Sequence, residues 1–373
     1  MTANTHSARR GIGLVLGAGG ATGAAFHAGT LLALQQDLDW NPNSADVIVG
    51  SSAGSIVAGL LRAGLTTDDL SAWGASIEAL PAGRNSRALL DDLRDARHRL
   101  HPSVPRPRMP SPTMWRTLLH PSRLRVHTAA LTLMPYGWID AATNLERIGG
   151  LLEEWPDERL WITAVRTSDA RRVVFGCSDI DASPGQAISA SCAIPGLFKP
   201  VTIGRHRYID GGAHSPTNAD LLVNAGVDTA VVISPMSGER GALGKRPDHL
   251  LRAMFRHRLR VECEALTRAG IDVHIFEPDR ATLTTMGINA LDNNRTPGVV
   301  RTSFLAAGAT IAANSILRDR LRSAPQIAPT SRERDSAQSG GIMRDGHASV
   351  EVTSQLPPVR CGQPRGSNAP ASA

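Results

Sequence analysis

Lysine is nearly absent from this 373-residue chain: Lys199 and Lys245 are the only two, and its basic side chains are otherwise arginines. With no lysine ahead of position 199, the phosphate-cradling pattern G-x-x-x-x-G-K-[ST] has no place in the glycine-rich N-terminal segment. The dinucleotide pattern G-x-G-x-x-G, started at Gly17, fails at its sixth position, which is Thr22. Cysteine is sparse too. Cys177, Cys192, Cys263 and Cys361 form no C-x-x-C pair and lie at no ligand spacing from histidine. That pattern argues against a disulfide framework, a structural zinc site or any other metal centre, and makes the cytoplasm the expected compartment. Aromatic residues make up 4% of the chain, few for stacking on nucleic-acid bases. The apolar run before the first glycines is too short for a signal peptide. No window approaches the ~18 uninterrupted apolar residues of a membrane span, so any membrane contact is expected to be peripheral.

Hydrophobic residues reach 42%, which implies a core of Ala, Leu, Val and Ile. One domain over residues 11–322 is expected, with residues 323–373, rich in Ser, Pro, Gly, Gln and Arg, as a disordered tail. An Arg/Pro-rich excursion interrupts the domain at residues 81–135. Between Arg84 and Arg125, ten arginines stand against Asp91, Asp92 and Asp95, an excess of +7 (10 − 3) that outweighs the net charge of +6 on the whole chain. Phosphate head groups, an acidic partner or plain solvation would all suit that segment. Met109, Met114, Trp115, Leu118 and Leu119 beside those arginines fit a lid, an interfacial face or ordinary packing.

Strand patterns alternate with helical ones. Strands are expected at 11–16, 47–49, 201–203, 207–209, 229–233 and 273–276, and a hairpin around "TSDA" within 159–177. Helices are expected after the first glycine loop and over 55–63, 185–192, 250–268 and 300–322. The alternation predicts an α/β fold in three layers, a mostly parallel central sheet with helices on both faces.

Three glycine-supported elements follow strands in this order. "GAGGATG" at 17–23 can turn backbone amides toward a ligand without Cβ obstruction. "GSSAG" at 50–54 has the G-x-S-x-G spacing of a strained strand-to-helix corner, with Gly50 and Gly54 flanking Ser52 and the positive end of a helix behind it. "YIDGG" ends at Gly211 and Gly212 and presents Asp210 on a turn at a strand end.

Together these segments resemble the patatin-like phospholipases. "LVLGAGGATGAAFHAGTLLAL" is similar to that family's oxyanion block, "GSSAG" to its nucleophile elbow and "ISASCAIPGLFKPVTIGRHRYIDGG" to the block ending in its catalytic aspartate. The resemblance implies Ser52 as nucleophile and Asp210 as the only base of a Ser-Asp dyad. It implies the amides of Ala18, Gly19 and Gly20 as oxyanion donors, with Gly17, Gly23, Gly50, Gly54, Gly211 and Gly212 supporting the motifs. It further implies a bacterial acyl hydrolase that cleaves lipid or phospholipid esters through an acyl-enzyme and needs no cofactor. Two positions depart from the family: Ala18 stands for its usual glycine and Thr22 for its usual arginine.

Other readings of the residues remain open. An α/β-hydrolase triad could recruit His214, His249, His257 or His274, all of which follow Asp210. A catalytically silent scaffold could bind lipid, or nucleic acid through the arginine-rich segment, although no nucleic-acid recognition motif is present.

Overall fold

The computed structural model describes residues 11–75, 101–102, 137, 139–140, 152, 154–244 and 246–324. Most of the 81–135 excursion, with its Met, Trp and Leu residues, and the tail from 325 onward lie outside the described residues.

Strands β1 (Ile12–Leu16), β2 (Val47–Gly50), β5 (Arg159–Arg166), β6 (Arg171–Phe175), β7 (Val201–Ile203), β8 (His206–Asp210), β9 (Thr229–Ile233) and β10 (Asp272–Phe276) form one sheet; β3 (His101–Pro102) and β4 (Ile139–Asp140) pair separately. Helices α1 (Gly20–Leu38), α2 (Ala53–Arg62), α3 (Thr67–Ala75), α4 (Pro184–Ser191), α5 (His249–Arg268), α6 (Arg280–Met286), α7 (Thr296–Ala313) and α8 (Ser315–Arg322) cover it. The sheet order is β10-β9-β1-β2-β5-β8-β7, with β6 also paired to β5. From β10 to β5 every pairing is parallel; β6, β8 and β7 are antiparallel to their neighbours.

Period-two alternation explains the three layers. Leu14 and Leu16 of β1, Ile48 of β2 and Val231 and Ile233 of β9 join the core under α1, α2 and α7. Val15, Val47, Val49, Ala230 and Val232 point the other way, into a second core with Leu259, Cys263 and Leu266 of α5. Both faces are therefore buried, as an α/β sheet requires.

The register along β5 brings distant parts of the chain together. Ile162 pairs with both Gly50 of β2 and Phe175 of β6, so these two strands occupy opposite edges of β5. Ala164 pairs with both Asp210 of β8 and Val173 of β6, which puts β8 on the edge β2 uses. Parallel β2 and antiparallel β8 thus run toward each other along one edge and stop on either side of Thr163.

The expected hairpin forms between β5 and β6, with Ala170 of its turn at φ 54°. The single helix expected over 300–322 is instead two, α7 and α8, bent by 97°. Asn314 causes the break: its backbone is extended and its Oδ1 accepts the Leu317 amide, so the side chain caps a new helix. Among the described residues Cys192 and Cys263 are free and buried. Among the described residues no single helix is long and apolar enough to cross a membrane.

Candidate active site

β2 ends at Gly50, and the chain turns through Ser51 and Ser52 into α2. Ser52 adopts φ 52° and ψ −122°, a conformation costing a non-glycine residue about 1–3 kcal/mol. The flanking glycines permit the corner. A Cβ on Gly54 would lie 1.9 Å from the Leu16 carbonyl oxygen, and one on Gly50 would lie 2.6 Å from the Ser55 Cα. The Ser52 amide donates to Ser191 Oγ at 2.8 Å, and Ser55 Oγ donates to the Ser52 carbonyl at 2.6 Å. Held this way, the Ser52 side chain stands at the positive end of α2.

Asp210 closes β8 on the facing side. A Cβ on Gly211 would fall 2.2 Å from Thr163 Oγ1, so only glycine lets the chain turn this close to β5. The Asp210 carboxylate accepts the Gly212 amide at 2.6 Å and lies near enough to the Ser52 hydroxyl for that group to favour its charged form. It is 5% exposed, as is Ser52, and burial lifts its pKa to about 6 against the lowering effect of those two donors. The Cys192 thiol approaches Ser55 Oγ at 3.8 Å beside Ser52; burial and the neighbouring Asp210 charge push its pKa far up, which keeps it a neutral thiol.

The glycine loop after β1 borders the same corner. Gly17 donates to Ile233 and accepts from the buried His27 Nε2 at 2.7 Å. A carbonyl only accepts, so that nitrogen carries the proton; burial holds the His27 pKa at about 4, and its Nδ1 has no partner. The three amides expected as donors are not equivalent. Ala18 donates to the Pro216 carbonyl at 2.8 Å, whereas the Gly19 and Gly20 amides meet no acceptor among the described residues. Ala18 keeps an ordinary φ, while Gly20 sits at φ 60°, where a side chain is unfavourable. The Ala18 methyl lies 3.2 Å from the Cβ position of Gly212, so it packs the glycine loop against the Asp210 turn. Thr22 fills the place of the family's arginine by donating its amide to the Ala290 carbonyl at 3.0 Å.

The histidines weighed for a triad are distributed differently. His214 follows the Asp210 turn, His249 and His257 ride on α5, and His274 lies on β10 at the sheet edge, its Nδ1 bonded to Asn314. Among the described residues no group of three His, Cys, Asp or Glu is placed to hold a metal ion. An open groove of about 670 Å³, lined by Glu239, Asp279, Thr310 and Asn314 among others, includes neither Ser52 nor Asp210.

Sequence reasoning missed the buried polar residues behind the corner: Ser51, Thr163, Ser191, Cys192 and Asn218. Ser51 was visible inside "GSSAG", but the polar side chains that meet it come from 112 and 167 positions away and share no local pattern.

The chain resembles known proteins at two levels. In fold it is similar to VipD from Legionella pneumophila, with 13% identity, 82% of this chain and 67% of that one covered, and a TM-score of 0.37. No curated protein matches it. The profile of the patatin-like phospholipases matches residues 14–223, more than half of the chain, a span that takes in the glycine loop, the serine corner and the aspartate turn. The chain therefore belongs to the patatin-like phospholipase family.

Proposed function

We propose that this protein is a lipid acyl hydrolase working through Ser52 and Asp210, without a histidine. Membership of the family supports hydrolysis of lipid esters in general. The observation that carries the finer reading is the convergence of β2 and β8 on β5, which brings the strained Ser52 corner at the start of α2 to the buried Asp210 carboxylate.

The chemistry follows from those parts. Ser52 Oγ bonds to the ester carbonyl carbon as its proton passes to Asp210, and the carbonyl π electrons move onto oxygen. The Gly19 and Gly20 amides, which meet no acceptor among the described residues, stabilise that oxyanion, each such donor being typically worth about 3 kcal/mol. The Ala18 amide, committed to Pro216, holds the loop instead. Collapse breaks the bond to the leaving alcohol, which takes the proton from Asp210. Water then attacks the acyl-Ser52 ester, Asp210 accepts its proton and returns it to Ser52, and the free acid departs. A carboxylate with a pKa of about 6 is a stronger base than a free aspartate and is still ionised at neutral pH.

Labelling with a fluorophosphonate tests the reading. Intact protein should take up one adduct, located at Ser52, and hydrolyse a short-chain p-nitrophenyl ester, and Ser52→Ala should do neither. Full activity in Asp210→Asn would remove Asp210 from the mechanism, and a loss beyond about 100-fold in a single variant among His214→Ala, His249→Ala, His257→Ala and His274→Ala would replace the dyad with a triad.

A further inference from the structure

The three parts of the site are joined behind the reacting groups by one short segment, residues 215–219, and by one side chain in it. Asn218 is fully buried at φ 53°, a left-handed conformation that asparagine tolerates better than most residues. Its neighbours fix it from outside: Thr217 Oγ1 at 2.7 Å and the Ala219 amide at 2.9 Å both donate to the same oxygen of buried Glu262 on α5. Its own carbonyl oxygen accepts Arg172 Nη1 at 3.2 Å, while that guanidinium grips Asp220 with two bonds of 2.7 and 2.8 Å. This orients the amide and turns its NH₂ group inward.

That NH₂ group meets the turn after β2, the turn after β8 and the β5 residue between them. It donates to the Ser215 carbonyl at 2.6 Å and to Ser51 Oγ at 3.0 Å, with Thr163 Oγ1 at 3.3 Å and the Gly211 carbonyl at 3.4 Å also in reach. Ser51 precedes Ser52, Gly211 follows Asp210, and Thr163 is the β5 residue between the two strand ends; Ser51 and Thr163 are themselves bonded at 2.7 Å. Two residues before Asn218, the Pro216 carbonyl holds the Ala18 amide of the glycine loop. A displaced Asn218 would loosen both sides of the Ser52–Asp210 contact at once.

We propose that Asn218 is a positioning residue for this reaction: its side-chain amide locks Ser51, Thr163 and Gly211 together and so sets the approach of Ser52 to Asp210. It touches neither substrate nor the reacting atoms. The inference rests on the Ser52–Asp210 reading.

Two variants separate the role from simple support. Asn218→Gly keeps the left-handed backbone and removes the side chain; Asn218→Asp keeps the shape and the contact with Arg172 but removes the donors. In both, the fluorophosphonate labelling rate at Ser52 and kcat for p-nitrophenyl butyrate should fall about 100-fold, the scale of a 1 Å misplacement. KM should stay within about threefold, since no binding contact is removed. In Asn218→Gly the acidic limb of kcat/KM should also move to higher pH, because the donors from Ser52 and Gly212 that favour the Asp210 carboxylate are weakened. A cooperatively folded Asn218→Gly that labels within about threefold of wild type, with its acidic limb unmoved, overturns the proposal. If neither variant folds, Thr163→Val, which removes the shared hydroxyl at equal size, must show the same kcat loss, and its absence overturns the proposal equally. A wild-type protein inert to the fluorophosphonate removes the hydrolase reading itself, and the role of Asn218 with it.

Discussion

Asp210 ends β8 beside the Ser52 corner at the end of β2, both residues are 5% exposed, and burial raises the carboxyl pKa to about 6. The proposed mechanism requires the ionised form, so kcat/KM should fall as pH drops through about 6. Stability runs the other way. The folded pKa lies above the ordinary value of 3.8, so the folded state binds the proton more tightly, and stability declines as pH rises from 3.8 through about 6. The decline is worth about 3 kcal/mol. Asp210→Asn should therefore be inactive yet melt above wild type at pH 8, with the gain gone at pH 4; a lower melting temperature at pH 8 would contradict the burial argument.

His27 supplies the opposite slope. Its folded pKa of about 4 lies below the ordinary 6.5, so the contribution it makes is present above 6.5 and lost as pH falls toward 4. His27→Gln retains a donor for the Gly17 carbonyl and has no group to protonate. Urea unfolding from pH 7 to 4 should show the variant gaining on wild type by about 3 kcal/mol across that range. A constant difference between the two proteins would show that His27 does not titrate there.

Two motif glycines should respond in opposite ways to the same substitution. In Gly54→Ala the new Cβ would sit 1.9 Å from a backbone oxygen, so strand and helix must part; expected is loss of more than about 4 kcal/mol, or no folded protein. Gly23 lies inside α1 with its Cβ position 3.4 Å from Pro235 Cβ, an ordinary contact. Gly23→Ala should gain about 0.5–1 kcal/mol from helix propensity. Thermal melting of the two variants decides this.

Ala18→Gly restores the residue usual in the family. Because the Ala18 amide already bonds to Pro216, the number of free donors is unchanged, and kcat should stay within about threefold. The lost methyl contact with the Asp210 turn and the freer unfolded backbone should lower stability by about 1 kcal/mol. A kcat gain beyond tenfold would mean that the methyl group obstructs the site.

Much of this architecture was readable from local pattern. The buried apolar runs at Ile12–Leu16, Val47–Gly50 and Thr229–Ile233 are strands because both of their faces are covered. Gly54 and Gly211 are glycine because backbone or side-chain atoms stand where a Cβ would be, and tight turns leave that mark in sequence. Asn314 was harder: its flanks are helical on both sides, and only its cap toward Leu317 and its bond to His274, 40 positions back, reveal a break. The unequal state of the Ala18, Gly19 and Gly20 amides was unreadable, since it depends on where Pro216 places its carbonyl. Asn218 was equally hidden, as its partners on β2, β5 and the Asp210 turn carry no shared periodicity.

The end-to-end approach of β2 and β8 on β5 bears on when the protein can first act. During synthesis the serine corner emerges early, but the strand it must align with ends only at Arg166, and the acid arrives at position 210. A nascent chain stalled before that point has nothing to activate its alcohol, whatever helices it has already formed. On the proposed Ser52–Asp210 mechanism, ester cleavage begins only after both halves have emerged and docked.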